Sequence, residues 1–458
     1  MHPLKRIFLL GSLTVLTFGG LLHLLGHLDI PQEAKAATAG STANCFVYDG
    51  STIYSSIDEQ AIQQAIDAAA EGTLLKIAGS CRGAHPRAGV TQTVFISKSV
   101  RLQGGYTLTN WLAPDASANL TILDAQSTGR VVYITGPIQV TLDRLNLLNG
   151  YVHDGNGGGI YHNATLIEAG SGIYHSSALT VTNSTIANGR VAIPGFAFPH
   201  GFGGGIASAE GRLHLENSLI TGSQAAAGGA LSLFLTKATI HHSNIISNSA
   251  TEGGGGIILG YSVLTMTNST IALNEASSGG GIENDVDSMI TVVNSTVSGN
   301  TAVYDGGGLD SFLNGAATLI NTTFSHNVAG RFGGGIYNSA VITLSNSIIS
   351  NSSGGDCWHV GSADNLIDQG FNLVEDGSCD FAVGGDPQLE PLADNGGSSW
   401  THALLPDSPA LDAGNCANGT IATDQRDIPR PQGDACDIGA FERAWPTQFL
   451  PLILNQTE

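Results

Sequence analysis

Along the middle of the chain, apolar and polar positions return in a fixed order: a glycine block, a short apolar strand, a variable turn, then a second strand ending on a polar residue. The blocks are Gly203 to Gly205 with Ile206, Gly228-Gly229-Ala230 with Leu231, Gly253 to Gly256 with Ile257, Gly279 to Gly281 with Ile282, Gly306 to Gly308 with Leu309, and Gly333 to Gly335 with Ile336. The polar position falls at Asn183, Asn217, His242, Asn268, Asn294, Asn321 and Asn346, and its last five intervals are 25, 26, 26, 27 and 25 residues. A period of that size marks a solenoid, in which each unit buries its apolar face only against the next. Three places further on stand the residues expected to point inward: Ile186, Ile220, Ile245, Ile271, Val297, Phe324 and Ile349. Six places on, a second polar residue recurs at Asn248, Asn274, Asn300, Asn327 and Ser352. At ~26 residues per coil and ~4.8 Å per strand, Thr73 to Gly355 predicts roughly eleven coils in a rod of about 50 Å.

The repeated polar residues are read as architecture. Stacked asparagines can bond coil to coil through their amides. Glycine serves where φ is positive or neighbouring backbones approach closely. The Asn-Ser-Thr sequons at Asn183, Asn268 and Asn294 are therefore read as ladder positions and not as glycan acceptors.

Outside the repeats the pattern changes. Lys5 and Arg6, the apolar run Ile7 to Leu25 and Ala34-Lys35-Ala36 predict an export leader over 1–36, with the mature chain starting near Ala37; an uncleaved anchor is the alternative. Ser56 to Glu59 has capping-box spacing, and Ile62, Ala65, Ile66 and Ala69 then recur at helical intervals. They predict a short helix covering the open end of the first coil. The boundaries expected are 37–150 for this cap and the first coils, 151–353 for the repeats, 354–443 for a loop-rich terminal unit, and 444–458 for a tail. Two departures interrupt the repeats. Gly157 to His162 is followed after thirteen residues by Gly172 to His175, as though part of a coil were duplicated, and Arg190 to Phe202 forms an excursion. In the terminal unit, Arg426 or Arg430 is expected to pair with nearby aspartates.

Composition agrees with a β solenoid, with 61 glycines and only 12 % charged residues. The net charge of −21 argues against nucleic acid and anionic membrane as partners. A membrane would be met only through an uncleaved leader or an anchor that the residues do not identify. Six cysteines fall in three local pairs, Cys45 with Cys81, Cys357 with Cys379 and Cys416 with Cys436. None has zinc-ligand spacing, so disulfides in an oxidising compartment are the reading, although six cysteines allow fifteen connectivities.

The alternation of Gly-Gly-(Gly/Ala)-(Ile/Leu) with motifs such as Phe324-Ser325-His326-Asn327 resembles the repeat of polymorphic outer membrane proteins, and more broadly right-handed parallel β-helix proteins of the pectate-lyase type. Asp386 to Glu442 is similar to the choice-of-anchor Q region of secreted bacterial β-helix proteins. Ala61 to Gly105 resembles the start of such proteins. The resemblance implies an all-β, right-handed parallel β-helix with an N-terminal capping helix, secreted or held at a bacterial cell surface, with polysaccharide or cell-surface and matrix components as partners. Polymorphic proteins carry a C-terminal autotransporter barrel, which is not found here, and Leu450 to Leu454 lacks the residues of a sortase signal.

A non-enzymatic scaffold for adhesion or carbohydrate contact is the first functional reading; a polysaccharide lyase or glycoside hydrolase is the alternative. A polyuronate lyase needs basic groups near the substrate carboxylate. Between Tyr151 and Ser350 there are only Arg190, Arg212, Lys237 and Arg331, scattered along the sequence. The polygalacturonase signature and a phosphate-binding Gly-rich loop are both missing, and no cofactor is expected. Register does place Glu283 and Asp310 at the same point of consecutive coils. Two carboxyl groups that close could serve a retaining glycosidase. With Asp285 and Asp287, and Asp305 nearby, they could alternatively bind calcium. The plain expectation is two solvated side chains splayed apart on an exposed turn.

Overall fold

The computed structural model describes residues 45–164, 166–169, 172–175, 177–192, 201–361, 365–379, 384–416 and 422–444. Residues 1–44, which include the expected leader, residues 193–200 of the excursion, and residues 445–458 lie outside them.

One repeat shows how the sequence makes a coil. After the block at Gly279, Ile282–Asn284 forms one strand, Met289–Val293 a second and Thr296–Ser298 a third, with Thr301–Ala302 as a corner strip. Met289–Val293 alternates, so Ile290 and Val292 fill the bore while Thr291 faces outward. Asn294 then turns the chain with φ 45°, and all seven polar positions share that left-handed conformation, with φ between 45 and 52°. Asparagine and histidine are among the few side chains that tolerate it, which is why His242 can stand in the series. The next block closes the coil: a Cβ on Gly307 would lie 2.4 Å from the carbonyl oxygen of Gly334 one coil on. Backbones in contact leave no room for a side chain there.

Repeated, this unit builds a right-handed parallel β-helix. The three strands stack as a glycine face, a long face and a short face. Ten successive parallel pairings link eleven strands of the long face, from Thr73–Arg82 to Leu366–Asp368. Thr73–Arg82 pairs with Val100–Tyr106 through its first half and with Ile122–Asp124 through its second, after a register shift between Lys76 and Ala78. It therefore joins the long and short faces into one 23-stranded sheet, beside an 11-stranded glycine face and a 7-stranded corner strip. The seven residues expected inward are at most 1 % exposed and belong to one core running from Cys45 to Cys379.

Two polar ladders run through the coils. The inner one is buried: the side-chain oxygens of Asn274, Asn300 and Asn327 each accept both the backbone N–H and the amide of the asparagine one coil earlier, at 2.9–3.1 Å. The outer one lies at the polar positions and is discontinuous. Asn217 donates to Asn183 (2.7 Å), Asn321 to Asn294 (3.2 Å) and Asn346 to Asn321 (2.8 Å).

At the N-terminal end the helix Gln60–Ala68 buries Ala61, Ile62, Ala65 and Ile66. Its start differs from a capping box. Asp58 Oδ1 accepts from the Gln60 N–H (3.0 Å) and Ser56 Oγ from that of Ala61 (3.0 Å), while the buried Glu59 side chain turns to His85. The repeated Gly-Ile-Tyr-His is also not a duplicated coil. Gly172–His175 pairs antiparallel with Leu166–Ala169 as a hairpin between the glycine-face strand Ile160–Asn163 and the long-face strand Ala178–Thr182. The disulfides are Cys45–Cys81, Cys357–Cys379 and Cys416–Cys436. The terminal unit has a second core, where Leu404, Ala410, Ile438 and Phe441 pack with Ile348 and Leu373 of the last coils.

Candidate functional site

Strand Ile282–Asn284 lies beside Leu309–Ser311 with Glu283 opposite Asp310, so the register read from the period holds. The expected exposure does not. Glu283 is 8 % and Asp310 5 % exposed. The cause is the glycine of the neighbouring turn: a Cβ on Gly253 would sit 1.4 Å from Glu283 Oε2, so its absence lets that turn close over the carboxyl. Burial first, and the Asp310 charge second, push the Glu283 carboxyl well above its usual range. Burial, then Asp305 and Asp285, push Asp310 up to about 8, against the opposing pull of Arg331. Asp305 pairs with Arg331, whose guanidinium lies 4.7 Å from the Tyr304 ring centre.

Glu283 Oε2, Asp305 Oδ1 and Asp310 Oδ1 are buried without a hydrogen-bond partner. The calcium set is nevertheless not assembled. Asp287 sits on a turn with φ 49° and accepts from Asn314 Nδ2 (3.2 Å), and Asp285 Oδ1 accepts from the Val286 N–H (2.6 Å). Among the described residues no three His, Cys, Asp or Glu side chains converge to hold a metal. What Glu283 and Asp310 can hold is a proton. Buried to this degree, neither offers an oxygen to a polymer outside the rod.

An open polar site lies elsewhere, where the first long-face strands end. A groove of about 430 Å³ is lined by Arg101, Thr141, Asp143, Arg144, Asn183 and His242, among others. A second hollow of about 220 Å³ shares Asn183, Asn217, His242 and Ser398 and extends over the short face to Thr185, Leu219 and Asn244. Asp143 organises the floor. It accepts from Asn183 Nδ2 (2.9 Å), Gln103 Nε2 (2.7 Å) and Thr182 Oγ1 (2.9 Å) and pairs with Arg144. Burial pushes its carboxyl up, but these contacts outweigh burial and hold it below the ordinary aspartate value. At the far end Asn268 Nδ2 donates to Asp427 Oδ1 (2.9 Å), and the other Asp427 oxygen faces His242 Nε2 at 3.1 Å.

The terminal unit sets where the groove stops, because it docks on the later rungs. Thr270 Oγ1 donates to the Trp400 carbonyl (2.6 Å), Asn294 Nδ2 to that of Thr423 (2.8 Å), and Thr296 Oγ1 to Gln425 Oε1 (2.7 Å). Of the outer ladder, Asn183, Asn217 and His242 border the open groove, whereas Asn268, Asn294 and Asn346 bond the terminal unit. That unit is held by Arg426 with Asp424 (2.6 Å), the arginine–aspartate pairing expected there, and by the buried pair of Arg430 with Glu442 (3.1 Å).

Arg101, Asp143 and Arg144 were not flagged by their spacing. They come from the first coils, whose insertions hide the period. Asn183 and His242, by contrast, are positions of the regular ladder.

No family model matches the sequence, and no curated protein does. Among solved structures, that of the PL6 family alginate lyase AlyGC matches with 12 % identity and a TM-score of 0.29, over 85 % of this chain and 59 % of that one. This chain thus spans well under two thirds of the enzyme's length. A likeness of that size does not bear on activity; the fold stands on the strand register.

Proposed function

We propose that this chain is a secreted or cell-surface β-helix scaffold that contacts carbohydrate through the groove at its N-terminal coils. The observation behind this reading is the groove itself: an open hollow of about 430 Å³ bordered by amides, hydroxyls, guanidinium groups and an imidazole. Such groups exchange hydrogen bonds with sugar hydroxyls, and the groups recur at the ~4.8 Å rung spacing, which suits an extended chain. The likeness of the repeats to polymorphic outer membrane proteins, and of Asp386 to Glu442 to the choice-of-anchor Q region, belongs to the same reading. So does surface display.

The test is binding of a panel of plant, algal and microbial polysaccharides to the exported protein. Retention of at least one polymer, weakened by Asn183→Ala, supports the reading; no retention of any overturns it.

A second reading is that the groove cleaves what it binds. It is favoured by His242, whose imidazole is 19 % exposed at the groove wall and 3.1 Å from a carboxylate, an arrangement suited to moving a proton. Appearance of unsaturated or reducing ends, lost in His242→Asn, would establish it.

A further inference from the structure

The groove stops where the terminal unit begins, and one histidine of that unit is held in the seam between unit and coils. His402 is 3 % exposed and meets Ser298, itself 2 % exposed, on the short-face strand Thr296–Ser298. Its Nδ1 lies 2.7 Å from the Glu390 carbonyl and its Nε2 2.8 Å from Ser298 Oγ. A carbonyl only accepts, so Nδ1 carries the hydrogen, Nε2 is bare, and the Ser298 hydroxyl donates to it. Both nitrogens are thus engaged by the neutral ring. A second proton would reverse the Ser298 bond and leave a positive charge in a buried seam.

Among the described residues no carboxylate balances that charge. From the coils, the ring of His326 stacks on His402 with centres 5.6 Å apart and planes 12° from parallel, so a second imidazolium would be repelled. Glu375 acts on His326. Glu390 offers its carbonyl while its side chain is exposed, and Ser298, Trp400 and Thr401 carry no charge. Burial holds the His402 imidazole down at about 4, against the pull of the Glu390 carbonyl and with His326 adding to the effect. The other bonds of the seam, at Trp400, Thr423 and Gln425, join carbonyls, hydroxyls and amides, which do not titrate. Asp427, which meets His242 and Asn268, is exposed.

We infer that the terminal unit is an acid-released cover over the later rungs, with His402 as its trigger. The inference goes beyond the carbohydrate reading and does not depend on it. Released, the unit frees Asn268, Asn294 and Asn346, which continue the row of Asn183, Asn217 and His242 along the groove. The direction follows from proton binding. Undocked, His402 regains its ordinary value of 6.5 and takes up a proton that the docked ring refuses. Docking is therefore at full strength above pH 6.5 and weakens as pH falls towards 4.

The experiment follows hydrogen exchange in the intact protein over residues 384–416, corrected for the intrinsic effect of pH on exchange. Between pH 7.5 and pH 5 their protection should fall about thirtyfold. In His402→Gln, which keeps a donor and an acceptor but does not titrate, the fall should shrink to less than about threefold. Wild-type protection unchanged over that range, or a His402→Gln profile that falls as far as the wild type's, would overturn the inference. Should His402→Gln fail to dock, His326→Asp decides in its place. Aspartate accepts the left-handed backbone of that turn, where φ is 58°, and its charge beside His402 should let the docked ring keep a proton, so the fall is blunted. An undiminished fall in that variant would equally overturn the inference.

Discussion

Glu283 and Asp310 stand opposite each other on consecutive coils, each more than nine-tenths buried, with one oxygen apiece lacking a hydrogen-bond partner. Two like charges that close in a dry setting cannot both persist at low cost, so the pair keeps protons that exposed carboxyls would lose.

The pH dependence follows from the direction of the shift. Asp310 has a folded value raised to about 8 from 3.8, and that of Glu283 is raised as well. A raised carboxyl pKa means the folded state binds more protons than the unfolded one. Its stabilising effect is complete below about pH 4 and is lost as pH climbs towards 8. Thermal melts should therefore show lower stability at pH 9 than at pH 5. Asp310→Asn should be more stable than the wild type at pH 9 by a few kcal/mol, an advantage that shrinks steadily as pH falls towards 4. Parallel pH profiles for the two proteins would contradict this.

The two asparagine ladders should differ in energetic weight. Asn300→Ala removes the acceptor for the Asn274 N–H and amide and the donor to the Ile271 carbonyl, all in a dry interior. Denaturant melts should register a loss of about 3 kcal/mol. Asn217→Gly, on the solvent side and with its φ of 45° preserved, should cost less than about 1 kcal/mol.

Docking of the terminal unit centres on Gln425. Its Nε2 lies within reach of Thr270 Oγ1 (3.0 Å), Ser399 Oγ (2.8 Å) and the Trp400 carbonyl (2.9 Å), while its Oε1 accepts from Thr296. Gln425→Leu leaves these groups unsatisfied, at about 2 to 3 kcal/mol. Limited proteolysis should then cut the terminal unit well before the coils. Wild-type resistance would show that the second core at Leu404 and Phe441 holds the unit by itself.

The Cys45–Cys81 bridge closes a loop with a sequence separation of 36. By the chain-entropy relation it stabilises the fold by about 4 kcal/mol. Replacing both cysteines with alanine should lower the melting temperature and speed hydrogen exchange first in the helix Gln60–Ala68, which packs between the bridged strands and the first coil.

How much of this was legible in the residues depends on how far the period reaches. From Asn217 to Ser352 one interval governs strand, turn and inward position. The stacking of Glu283 on Asp310 and the bore-lining Ile271, Val297 and Phe324 follow from the register that the period imposes; the left-handed turn at the asparagines emerges only in the structure. The disulfide partners could be paired by proximity in sequence. Burial of Glu283 could not be read this way, because it depends on a turn one coil away closing where Gly253 has no side chain. Nor could the groove: Arg101, Arg144 and His242 are drawn together by coils of unequal length, and the groove ends where the terminal unit lies on Asn268 and Asn294. A repeat dictates contacts between equivalent positions of neighbouring coils, since these share one backbone geometry. Contacts between unequal loops, or between the coils and a chain segment that leaves the repeat, depend on how separate surfaces pack, and no spacing along the sequence encodes that.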